Sequence, residues 1–64
     1  MMNIDDALKY GIKILERNSI KSAKLDCEII ISKIMGKDRG FILLNQNKYL
    51  ENKQFDDFKS LIFQ

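Results

Sequence analysis

Apolar positions recur three and four apart from the first residues of the chain onward. Ile4, Ala7, Leu8, Gly11, Ile12 and Leu15 fall on one stripe of a helix, with Ile14 at its edge. Asp6, Lys9, Lys13, Glu16 and Arg17 fall opposite. The spacing predicts a helix over 4–17. Asn3 stands where an N-cap belongs, and Asp5 and Asp6 suit the positive end of the helix dipole. At the far end, Asn18 tolerates the left-handed conformation that closes a helix, and Ser19 helps the turn.

A second helix is bracketed by Ser22 as N-cap and Gly36 as the terminating glycine. Ala23, Cys27, Ile30, Ile31 and Ile34 make its main stripe, while Leu25 and Ile29 point elsewhere. Apolar over more than half its circumference, this helix should lie centrally, packed on two sides. Ile29, Ile30 and Ile31 in a row also fit a buried strand. The pattern from Ala23 to Met35 is too long for a typical strand and is capped as a helix is. Asp38 caps a short third helix through Phe41, Ile42, Leu43 and Leu44, ending at Asn45. Asn45, Gln46, Asn47 and Lys48 read as a loop. The last helix runs from Glu51 to about Phe63, with Phe55, Phe58, Leu61 and Ile62 on one stripe and Phe63 off it. Its apolar pattern is still running at Gln64, as in a domain cut from a longer protein. The expected fold is all-α: a four-helix orthogonal bundle, three longer helices and one short, in one domain over 1–64.

At 64 residues, a chain buries only about 60% of its unfolded surface. Its core supplies on the order of 3–5 kcal/mol. One cysteine and no histidine exclude an internal disulfide and a Cys/His zinc site, and point to a reduced, cytoplasmic setting. The longest apolar run, Phe41 to Leu44, is far too short for a bilayer, and the start lacks the basic and apolar regions of a secretory signal. Net charge is +2, with acids and bases interspersed, a weak argument for nucleic acid because most soluble domains show such a balance; a monomer with neither nucleic acid nor membrane as partner is expected.

No catalytic constellation emerges. Asp5–Asp6 and Asp56–Asp57 are neighbours that diverge around a helix and do not converge on a metal. Ser19, Ser22, Ser32, Ser60 and Cys27 have no histidine to activate them. Cys27 falls on the buried stripe as core filling. The three glycines form no phosphate-binding fingerprint. Gly11 sits inside a helix, where glycine costs about 1 kcal/mol against alanine. Its place on the apolar stripe predicts a close approach of another helix. The first two helices with their short connection also suggest a helix-turn-helix. The second helix, however, shows mostly Ala, Cys and Ile, with Lys24, Glu28, Ser32 and Lys33 thinly spread and Asp26 and Glu28 set against phosphate.

The run Ser22-Ala23-Lys24-Leu25-Asp26-Cys27-Glu28-Ile29-Ile30-Ile31, followed by Gly36-Lys37-Asp38-Arg39, resembles the first domain of the release-factor glutamine methyltransferases, also called HemK or PrmC. Asp6-Ala7-Leu8, and Leu50 leading into Phe58, Leu61 and Ile62, are similar in placement. Cys27 stands at the family's usual Ala and Lys24 at its usual Arg. Ser19 stands where the family commonly has Gly, so the turn is expected to rely on Asn18.

The resemblance implies a parent enzyme that uses S-adenosylmethionine in a Rossmann-like catalytic domain. It would methylate the glutamine amide of the Gly-Gly-Gln motif in peptide chain release factors. The family's Asn-Pro-Pro-Tyr motif is absent from this proline-free chain, so no catalytic, cofactor-binding or metal residue carries over. What remains is docking. The resemblance implies that the bundle sits beside its own catalytic domain and helps to recognise and orient the release factor. Candidate contacts are Lys9, Tyr10 and Lys13 on the first helix and Lys33, Lys37 and Arg39 around the turn after the second. A stand-alone helical interaction module and a small DNA binder are the alternatives.

Overall fold

Asn3 lies in extended backbone, and its side-chain oxygen accepts a hydrogen bond from the Asp6 N–H at 2.8 Å. That cap starts α1 (Ile4–Arg17) in the computed structural model, which describes residues 1–63. The other free amides of the first turn find loop carbonyls. The Ile4 N–H donates to Lys48 O at 2.9 Å and the Asp5 N–H to Gln46 O at 3.0 Å. The Leu50 N–H donates back to Met2 O at 2.8 Å, and Asn3 and Tyr49 pair as a single antiparallel bridge. The loop after the third helix thus completes the N-terminus of the first, satisfying donors that a helix start leaves open. It also carries Leu50 into the core.

α1 ends in a way the sequence reading assigned to the wrong residue. Asn18 stays at φ −96°, and Ser19 is the residue in the left-handed region, at φ 63°. The Ser19 N–H donates to Glu16 O and the Ile20 N–H to Leu15 O, each at 3.0 Å. This paired closure is the one usually built on glycine. Asn18 is held off it because its side-chain amide donates to Ile14 O at 3.0 Å while its backbone N–H still bonds within the helix. α2 (Ala23–Met35) closes by the same bond pattern, with Gly36 at φ 67°. Ser22 occupies the predicted cap position of α2, but its hydroxyl makes no cap bond to the backbone. It donates instead to the Asp26 carboxylate at 2.9 Å.

α3 (Arg39–Leu44) is capped by Asp38, which accepts from the Phe41 N–H at 2.8 Å. α4 (Asn52–Ile62) begins one residue later than the sequence reading placed it. Glu51 is the cap, and its backbone N–H donates to the Gln54 side chain at 2.9 Å. The fold is a small all-α bundle of four helices, and the Ile29–Ile31 run that also fitted a strand is helical.

α2 packs against α1, α3 and α4, the central position its apolar circumference predicted. Ile4, Ala7, Leu8, Cys27, Ile31, Ile42, Leu50, Phe58 and Ile62 form one buried cluster drawn from every helix and the loop before α4. Gly11 lies where α1, α2 and α4 meet. A methyl group there would stand 2.5 Å from Ile62 Cδ1, 2.6 Å from Phe58 Cζ and 2.8 Å from Cys27 Sγ. The close approach expected at this glycine is real. Cys27 is fully buried, and loss of hydration pushes its thiol up to about 11, with Asp26 and Glu28 adding to the shift.

Glu28 departs from expectation. It does not lie on a thin polar face but is buried at 3% exposure. Arg39 Nε and Nη2 donate to its Oε1 at 3.2 and 3.1 Å, tying α3 to α2. No buried side-chain nitrogen or oxygen among the described residues lacks a partner. The stripe of α4 is also narrower than its sequence suggests: Phe58 and Ile62 are buried, Phe55 is half-buried and Leu61 is exposed.

Candidate partner-binding surface

The six candidate contacts separate into two regions. Lys9, Tyr10 and Lys13 share an open groove of about 680 Å³ with Ile14, Arg17, Asn18 and Phe63. The groove follows from the helical repeat. Lys9, Lys13 and Arg17 stand four residues apart, so they rise along one side of α1, with Tyr10 and Ile14 on the adjoining line. Tyr10 is half-buried and meets Phe55 edge-on, with ring centres 5.5 Å apart. Phe63 follows α4 and is 63% exposed. Lys9 is bonded to Asp5 at 3.0 Å, and that contact raises its pKa from the ordinary lysine value.

Around the α2–α3 turn, Lys33 is exposed on the last turn of α2. The ammonium of Lys37 lies 5.3 Å from the centre of the Phe41 ring, within cation–π range. Arg39 is half-exposed, and its head group is engaged by Glu28. It lines a different depression, with Lys21, Lys24, Leu25 and Leu43. Arg39 therefore carries a structural load that Lys33 and Lys37 do not.

Arg17, Ile14 and Phe63 complete the first groove and were not among the sequence candidates. The signal for Arg17 was available, as the third member of the Lys9–Lys13 spacing. Phe63 carried none, because a residue off the stripe of α4 reaches the α1 groove only through the packing of the two helices. Packing also bears on the helix-turn-helix alternative: α2 buries Ala23, Cys27, Glu28 and Ile31 against three helices, and of its residues only Lys24, Leu25 and Lys33 are exposed. Among the described residues, no three His, Cys, Asp or Glu side chains gather as a metal site would require. No helix there is long and apolar enough to cross a membrane.

Residues 6–64 match the family model of the PrmC N-terminal domain. The chain belongs to this family. A release factor glutamine methyltransferase of Clostridium botulinum is 31% identical over 61 residues, covering 95% of this chain and 22% of that protein. The chain thus spans about a fifth of the length of this curated relative. No solved structure matches. In this PrmC N-terminal domain α2 lies centrally and Ser19 takes the left-handed turn.

Proposed function

We propose that this chain is the accessory N-terminal domain of an S-adenosylmethionine-dependent enzyme that methylates the Gly-Gly-Gln glutamine of peptide chain release factors. In this reading the domain recognises and orients the release factor, and the cofactor and catalytic groups belong to a separate catalytic domain. The match over residues 6–64, together with the 31% identity to a release factor glutamine methyltransferase, carries the proposal. The surface is compatible with it: basic side chains line a groove along α1 and stand around the α2–α3 turn.

The chemistry explains why such a domain is useful. A carboxamide nitrogen is a poor nucleophile, so the reaction depends on holding it in line with the methyl donor. A second contact, remote from the reacting amide, fixes the release factor's orientation and raises its residence time on the enzyme. Binding there should appear mainly in KM for the release factor.

The test compares the full-length enzyme with one lacking residues 1–64. The expected result is a release-factor KM raised about tenfold or more, equivalent to about 1.4 kcal/mol of lost contact. Affinity for S-adenosylmethionine should change little. A truncated enzyme with unaltered release-factor KM would remove recognition from the domain. Charge reversal at Lys33 and Lys37 then asks whether the α2–α3 turn takes part; unchanged rate and affinity would exclude it.

A further inference from the structure

The α1 groove has a defined chemical character. Its rim holds three cations, one helical turn apart, spanning about 12 Å along the axis. Asp5 neutralises Lys9, but among the described residues neither Lys13 nor Arg17 forms an ion pair. No acidic side chain lines the groove, and Glu16 faces a separate depression with Ser19, Ile20 and Lys21. The floor is apolar: the Tyr10 ring braced by Phe55, Ile14, and the exposed Phe63. Like charges one turn apart repel, and an exposed aromatic beside them gains by being covered.

We propose that this groove, rather than the α2–α3 turn, is the release-factor docking site, and that it takes an acidic segment carrying an apolar side chain. Carboxylates of the segment meet Lys13 and Arg17, and its apolar side chain seats between Tyr10, Ile14 and Phe63. The inference rests on the release-factor reading above and adds the place and the partner's chemistry. Other occupants fit less well. A second copy placed across a two-fold axis would set Lys13 and Arg17 against the same cations. Duplex nucleic acid would leave the apolar floor unused and meet Asp5 beside Lys9.

The experiment uses the full-length enzyme and purified release factor, with binding kinetics followed at low and at physiological salt. Lys13→Glu/Arg17→Glu should weaken binding at least tenfold, chiefly through slower association, and should flatten the salt dependence seen in the parent. Phe63→Ser should weaken binding several-fold through faster dissociation and leave the salt dependence intact. A photo-crosslinking residue at position 10 should attach to the release factor. Unchanged circular dichroism and melting midpoint verify that the variants are folded, and Lys13→Gln/Arg17→Gln supplies a milder pair.

The enzyme lacking residues 1–64 separates the two levels. If it binds weakly while Lys13→Glu/Arg17→Glu binds like the parent, the groove assignment is overturned and the release-factor reading stands. If it binds as tightly as the whole enzyme, the release-factor reading itself fails. Crosslinks from position 10 to the enzyme's own catalytic domain, to a second copy, or to nucleic acid would equally overturn the assignment.

Discussion

Replacing Gly11 with alanine tests how the three longer helices meet. In an isolated helix the change is favourable by about 1 kcal/mol, because alanine loses less backbone entropy and shields the peptide groups. Here the new methyl would stand 2.5–2.8 Å from side-chain atoms of Ile62, Phe58 and Cys27, all buried. The Ile62 methyl can rotate away. The Phe58 ring tip and the short Cys27 side chain have no such freedom, so α4 or α2 must move outward. Overpacking of a filled core costs about 1–3 kcal/mol, and three simultaneous contacts put this site toward the upper end. Net of helix propensity, Gly11→Ala should destabilise by roughly 1–2 kcal/mol. For a domain of this size that lowers the melting midpoint by roughly 5–15 °C. Urea and thermal unfolding followed by far-UV circular dichroism give the number. Phe58→Leu, which removes the ring tip, should make Gly11→Ala far less harmful in the double variant, a positive coupling between two contacting residues. A midpoint that rises with Gly11→Ala alone would refute the reasoning, because propensity would then outweigh contact.

Ser19→Gly should stabilise by roughly 0.5–1 kcal/mol, since relief of a left-handed non-glycine residue exceeds the added unfolded-state entropy; a lower urea midpoint would count against strain at φ 63°. Arg39→Ala should cost roughly 1–3 kcal/mol by stranding the buried Glu28 carboxylate, less than for a fully buried pair because Arg39 is 49% exposed. Glu28→Gln/Arg39→Ala should recover much of that loss, and equal midpoints for the single and double variants would show that the stranded charge is not the cause. The raised thiol of Cys27 also predicts a pH dependence. Its ordinary value is 9.0 and its folded value about 11, so between these the unfolded chain ionises first and binds fewer protons. Stability attributable to Cys27 is full below about pH 9 and falls as pH rises toward 11. Cys27→Ala should flatten that limb of the curve, and an identical slope in the two proteins would exclude the thiol as its source.

Much of this fold was legible in the chain because its decisive signals are local. The Asn3 and Asp38 caps, the Gly36 stop and the three-and-four spacing of apolar residues act within a turn or two of helix, so the four helices followed from the sequence alone. The same locality exposed Lys9 and Lys13 on one side of α1, and the resemblance around Ser22–Ile31 pointed to the family that the match over residues 6–64 shows. Tertiary structure decided what depends on atoms far apart in sequence. Glu28 is buried because Arg39, eleven residues on, supplies two donors. The amides of Ile4 and Asp5 are satisfied by carbonyls from the loop before α4, which no periodicity encodes. Phe63 joins the groove of α1 only because α4 packs beside that helix. Backbone propensity and amphipathic spacing are properties of neighbours in sequence, whereas burial, ion pairing and groove formation belong to the packed assembly.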